Sequence, residues 1–165
     1  MPKIIVIYDT LTGNTEKMAK AVVEGAKTVR GVEVELLKAG TAFPLISKLE
    51  SVDAIILGSP SRYGSITADM RTLLTSAKEL KEAKKLNLSG KVGGAFGSYA
   101  WDGGWVIDKL EMDMKSLGIK IALPVVSVVD RMGAMGVRIQ EEDLLKCREL
   151  GRIIAEKSAN KSEKR

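Results

Sequence analysis

Residues 4–8, Ile-Ile-Val-Ile-Tyr, form an unbroken apolar run with no polar position to turn toward water. A short run of this kind reads as a strand buried on both faces, and such strands belong to sheets covered by helices on each side. Residues 53–58 form a second such strand. Residues 32–36 alternate, with Val32, Val34 and Leu36 separated by Glu33 and Glu35, as a half-exposed strand does. Residues 91–97 read as a glycine-rich strand that a helix or ligand can approach closely. A fifth strand is expected over 119–126, with Lys120 pointing outward.

Helical spacing separates these strands. Met18, Ala19, Val22, Val23 and Ala26 share one face of a helix over about 14–29, which Gly31 ends. A short helix is expected near 43–49. Met70, Leu73, Leu74, Ala77 and Leu80 mark the next, and Ile107, Leu110, Met114 and Leu117 another, ended by Gly118. The last helix spans 141–157, with Leu144, Cys147, Leu150 and Ile154 on its core face. Strands alternating with helices predict an α/β fold, a three-layer sandwich around a five-stranded parallel sheet. The apolar strands belong at its centre and the alternating ones at its edges, which is the order 2-1-3-4-5 with a ligand crevice between strands one and three.

The chain has 165 residues, 45% hydrophobic and 28% charged, which suits one globular domain. That domain is expected over 1–157, with a polar, solvated C-terminal tail over 158–165. No apolar run approaches the ~20 residues that span a bilayer, and the N-terminus has no signal-peptide pattern. The single cysteine, Cys147, rules out an intramolecular disulfide framework and favours a cytoplasmic setting; its helical register places it in the core. Histidine is absent, which removes histidine metal sites, Ser/His/Asp triads and Cys/His dyads together. No catalytic residue and no metal ligand is assigned. The net charge of +5 comes from scattered residues, so neither nucleic-acid binding nor membrane insertion is expected.

The first strand runs into Thr10-Leu11-Thr12-Gly13-Asn14-Thr15 and then a helix. Successive amides at a helix N-terminus attract anions, and Thr10, Thr12, Thr15 and Asn14 add side-chain donors. The loop has no lysine, so it is not a P-loop, and it carries no G-x-G-x-x-G motif. Neutral donors suit the terminal phosphate of a larger ligand. The competing reading is an ordinary capped helix, since Thr and Asn are good N-caps.

The stretch Val6-Ile7-Tyr8-Asp9-Thr10-Leu11-Thr12-Gly13-Asn14-Thr15-Glu16-Lys17-Met18-Ala19 resembles the FMN phosphate motif of flavodoxins. Two further loops agree at the expected strand ends: Gly58-Ser59-Pro60-Ser61-Arg62-Tyr63-Gly64-Ser65 and Phe96-Gly97-Ser98-Tyr99-Ala100-Trp101-Asp102-Gly103-Gly104. The resemblance covers nearly the whole chain. The third loop and Asp143-Leu144-Leu145-Lys146-Cys147 are especially similar to the flavodoxin domain of A-type flavoproteins. That family also carries a di-iron domain with histidine ligands. This chain has neither the length nor the histidines, so that reductase activity does not carry over.

The resemblance implies that Thr10, Leu11, Thr12, Gly13, Asn14 and Thr15 cradle the FMN phosphate, with Ser61 adding a hydroxyl and Arg62 beside it. It implies that Tyr63 and Trp101 flank the isoalloxazine ring, and that Ser98, Tyr99, Ala100 and Gly103 line its polar edge. A flat apolar plate with a hydrogen-bonding rim is well served by aromatic faces and backbone groups. Trp105 is expected to pack into the core or its helix. Gly64 is the position where flavodoxins flip a carbonyl to stabilise the neutral semiquinone, which glycine's tolerance of positive φ permits.

The function so implied is electron transfer through FMN semiquinone and hydroquinone between redox partner proteins. A basic carrier favours an acidic docking patch on its partner. Its hydroquinone potential is expected to be less negative than in acidic flavodoxins, with Asp102 opposing part of the effect. One charge at ~10 Å is worth roughly 0.4–1.7 kcal/mol, or about 20–70 mV for one electron. The alternative is an NAD(P)H-dependent FMN or quinone reductase, which needs an open flavin face that two bracketing aromatics would block. A non-redox interaction module has only the basic charge in its favour. Oligomeric state is left open.

Overall fold

Strand β1 (Lys3–Tyr8) pairs in parallel with β2 (Glu33–Lys38) on one side and β3 (Ala54–Gly58) on the other. The structure, a computed structural model, describes residues 1–100, 104–129 and 139–164. Strand β4 (Val92–Tyr99) extends the sheet beyond β3, and β5 (Lys120–Ile121) and β6 (Val126–Val129) share the place beyond β4. The sheet order is therefore β2-β1-β3-β4-β5, as the alternation of apolar and half-exposed strands predicts.

The period-two geometry of a strand divides the core into two layers. Ile4, Val6 and Tyr8 of β1, Ala54 and Ile56 of β3 and Phe96 of β4 meet α1 (Asn14–Lys27) and α5 (Glu141–Glu163). Ile5, Ile7, Ile55, Leu57 and Ala95 point the other way, toward α2 (Ala39–Ala42), α3 (Ala68–Glu82) and α4 (Trp105–Ser116). Helices on both faces explain why β1 and β3 carry almost no polar residue.

Three boundaries differ from expectation. The helix near 43–49 is instead α2 followed by a 3-10 segment, Phe43–Ser51, with Pro44 in its first turn. The fifth strand is split. Val92 pairs with Lys120 while Phe96 pairs with Val126, so four residues of β4 face six on the partner side. Pro124 in the gap has no amide to give, and Val125 N donates instead to Glu111 Oε2 on α4 (2.9 Å). Finally, α5 continues through Glu163. Its polar last turns hide an inward side: Ser158 is buried and donates to Ile154 O, and Lys161 Nζ bonds Gly90 O.

Helices α1 and α5 touch backbone to backbone. A Cβ on Gly25 would lie 1.8 Å from Arg148 O, and one on Gly151 would lie 1.9 Å from Val22 O. Each helix thus presents a glycine to the other's main chain. Replacing Gly151 by Ala should cost about 3 kcal/mol, the upper end for overpacking, because backbone cannot step aside as a side chain can. Urea unfolding of the variant measures this.

Cys147 lies on the buried face of α5, where the helical spacing puts it, and burial pushes its thiol up to about 12. In an unfolded chain a thiol titrates near about 8.5. The folded state therefore keeps its proton where the unfolded state loses it. This contribution is fully present below about pH 8.5 and is lost as pH rises toward 12, with a slope of up to about 1.4 kcal/mol per pH unit. Comparing wild type and Cys147→Ala at pH 8 and pH 10.5 should show a steeper loss of stability in wild type than in the variant.

Candidate cofactor site

Three loops leave the same end of the sheet, after β1, β3 and β4. The first is shaped by its own short polar side chains. Asp9 Oδ1 accepts from Thr10 N (2.9 Å), Thr10 Oγ1 accepts from Gly13 N (3.0 Å), and Asn14 Nδ2 donates to Thr12 Oγ1 (3.2 Å). These bonds curl the chain so that Gly13, at φ 94°, becomes the N-cap of α1. The cap has no side chain, so the competing reading of an ordinary Thr or Asn cap is not what the structure shows. The first amide to bond back is Lys17 N, to Gly13 O (3.1 Å). The amides of Asn14, Thr15 and Glu16 are therefore without intrahelical acceptors and carry the positive end of the helix dipole. Helix α4 also starts on a glycine without a side-chain cap, Gly104. By contrast, Thr67 caps α3 and a capping box formed by Gln140 and Asp143 closes α5.

Ser98 joins all three loops. Its Oγ shares a 2.9 Å hydrogen bond with Thr15 Oγ1, across 83 residues of chain. Its carbonyl accepts from Ser61 N (2.8 Å). Thr15 and Ser98 are both buried, as is Asn14, which is only 1% exposed. Among the described residues these are three of the few polar side chains taken out of water, and all three lie at this end of the sheet.

The loop after β3 is a tight turn. Arg62 and Ser65 exchange backbone bonds (2.8 and 3.0 Å), with Tyr63 at φ 50° and Gly64 at φ 71° between them. Positive φ at both central residues defines a type I′ turn. Gly64 adopts it freely, but Tyr63 does so at a cost of roughly 1–2 kcal/mol. The Tyr63 ring is 78% exposed, and the Arg62 guanidinium stands 5.5 Å from its centre, within cation–π reach. Sequence offered no warning of the strained Tyr63 backbone, since tyrosine is not a turn former.

In the third loop, Tyr99 lies against Gly104, where a Cβ would fall 2.7 Å from the ring. Ala100 is half-buried beside it. Trp101, Asp102 and Gly103 lie outside the described residues. Leu11, at the tip of the first loop, is exposed. Trp105 is not in the core as expected: it is 55% exposed, and its indole rests beside Gly64. It is the first residue of α4, whose next two residues, Val106 and Ile107, take the buried positions. Its position directly after two glycines is the sequence signal that could have suggested this.

The electrostatics of the loop are set by dipoles rather than by side-chain charges. Residues 10–15 contain no ionisable group. Burial raises the pKa of the Tyr8 hydroxyl, and the nearby Glu16 carboxylate adds to this, so Tyr8 stays neutral. The donors present are uncharged amides and hydroxyls, suited to an anion held by hydrogen bonds. Thr10 Oγ1 accepts from Gly13 and keeps its own proton to give. Among the described residues no cluster of three or more acidic, cysteine or histidine side chains could hold a metal ion.

The flavodoxin family model matches residues 6–151, and the chain belongs to the flavodoxin family. Its cofactor is accordingly FMN, and the donor set fits: free helix amides with hydroxyls for a phosphate, and backbone and aromatic groups for a ring. A flavodoxin from the domain Archaea is 28% identical, with 95% of this chain matching 99% of that one at a TM-score of 0.75. Oxidised flavodoxin 1 from Bacillus cereus is 24% identical over 93% of this chain and 97% of its own, with a TM-score of 0.77. The rubredoxin oxygen:oxidoreductase of Desulfovibrio gigas matches 96% of this chain at 24% identity and a TM-score of 0.80, and the match covers 36% of that longer protein. The last two likenesses concern fold alone.

The Thr15–Ser98 bond gives a direct test of how the loops are joined. Thr15→Val should destabilise the FMN-free protein by about 1–3 kcal/mol, because it leaves the buried Ser98 hydroxyl without its partner. Thr15→Ser should recover most of the loss. Thermal or urea unfolding of the two variants decides between them.

Proposed function

We propose that this chain is an FMN electron carrier in which Thr10, Leu11, Thr12, Gly13, Asn14 and Thr15 hold the phosphate. Ser61 adds a hydroxyl, and Arg62, Tyr63 and Gly64 cover one side of the ring. Ser98, Tyr99 and Ala100 meet the ring edge, joined by Trp101 and Gly103 on the strength of their place in the sequence motif. The observation that carries this reading is the Gly13 cap, which leaves three amides open beside hydroxyls in a loop free of charge. FMN supplies the one-electron and two-electron chemistry, and the protein's part is to bind, orient and tune it.

The chain's own groups divide that work. The α1 amides and the threonine hydroxyls hold the phosphate by hydrogen bonds and the helix dipole, without a cation. Ser98 fixes the distance between the phosphate loop and the other two. Tyr63 offers an exposed aromatic face on a turn whose geometry two backbone bonds hold. The net charge of +5 favours an electron-rich bound species and an acidic docking face on the partner proteins. The one cysteine is buried, consistent with a reducing, cytoplasmic setting. Among the described residues no helix is long and apolar enough to cross a membrane.

The test is the visible spectrum of the purified chain with added FMN during stepwise reduction. The expected result is stoichiometric, tight flavin binding, with the second reduction step less negative than in acidic flavodoxins by about 20–70 mV for each unbalanced charge near the ring. Protein that stays colourless after FMN addition overturns the reading. Reduction by NADPH or NADH with no partner protein present assigns the chain to the reductases instead.

A further inference from the structure

We propose that Trp105 and Arg71 are positioning residues for the Arg62–Ser65 turn, clamping its outer side so that the turn stays closed and Tyr63 is held toward the cofactor. The proposal rests on the FMN site as read above, but the clamp is a property of the protein without FMN.

The turn is held well at its base. Ser61 N bonds Ser98 O, and Thr67 N donates to the buried Ser59 Oγ (3.3 Å). Its tip is different. Behind Gly64 and Ser65 lies a cavity of about 210 Å3 between α3 and α4, so the tip is not backed by close-packed core. Among the described residues, two side chains that line this space, one from each helix, touch the turn. From α3, the Arg71 guanidinium donates to Ser65 Oγ and to Ile66 O (3.2 Å). From α4, the Trp105 indole closes on Gly64, its Cζ2 3.1 Å from where a Cβ would be.

The two contacts are complementary. Arg71 pins the chain just after the turn through directional bonds, while Trp105 blocks the outward path of Gly64 sterically. A turn with tyrosine in the left-handed region has other conformations within reach, and removing either restraint releases it toward them. Trp105 is 55% exposed and its indole lies against Gly64, so the ring is placed at the turn rather than in the core.

The test is amide hydrogen exchange in the full-length FMN-free protein, read at Ser65, whose N–H closes the turn onto Arg62 O, with Ile56 in β3 as the reference. Trp105→Ala and Arg71→Gln should each speed exchange at Ser65 by about fivefold or more and leave Ile56 unchanged. Both should weaken FMN binding by about fivefold. Trp105→Phe, which keeps a flat ring against Gly64, should restore most of both. Unchanged exchange at Ser65 in either variant overturns the clamp. So does equal acceleration at Ile56, which reports loss of overall stability. If wild type fails to bind FMN, the functional reading fails while Ser65 exchange still decides the clamp.

Discussion

The site exists because β1 sits between β2 and β3 and the chain leaves β1 and β3 toward opposite faces. Helix α1 packs on the side of Tyr8 and Phe96, and α3 on the side of Ile7 and Leu57. Neither helix can cover the gap between the two strand ends, since each is committed to its own layer. Parallel pairing brings every strand's C-terminal loop to that one end of the sheet. A cleft there follows from connectivity, whatever residues line it. The residues decide only what the cleft can hold.

Polar groups are spent unevenly around this frame. At α3 and α5, side chains satisfy the first amides; at α1, glycine leaves them open. An open helix start is less stable than a capped one, and it is tolerated where a bound anion can take the cap's place. The opposite choice is made where α1 meets α5. There glycines bring two backbones into contact and nothing is left for solvent or ligand. The same helix therefore has open amides at its N-terminus and close backbone packing where it meets α5, which gives the Thr10–Thr15 loop a rigid support.

Most of the frame could be read from the order of residues. The two apolar strands announced a covered parallel sheet, and the half-exposed strands announced its edges. The run Thr10–Thr15 could be read as a polar loop entering a helix, and the Gly13 cap came only with the structure. What escaped was set by distant contacts. The two glycines before Trp105 hint that it leaves the core, but not that it leans on Gly64, forty-one positions earlier. The end of α5 lies beyond the expected 157 because Ser158, polar in sequence, is buried and bonds Ile154 O. The split of the fifth strand depends on Val125 finding Glu111 on another element. Local pattern carries burial and period, whereas these features are settled by which side chain meets which across the fold.

The interrupted edge has an effect beyond the sheet's outline. An open border of unpaired main-chain groups is a template on which another polypeptide can lay itself down. Here, among the described residues, the outermost position is held by pieces of two and four residues with a proline between them, so they offer no long continuous ladder. At the opposite border, β2 has six residues and carries Glu33, Glu35 and Lys38. A protein with so apolar a sheet interior thus presents both of its margins in forms that discourage stacking into fibres.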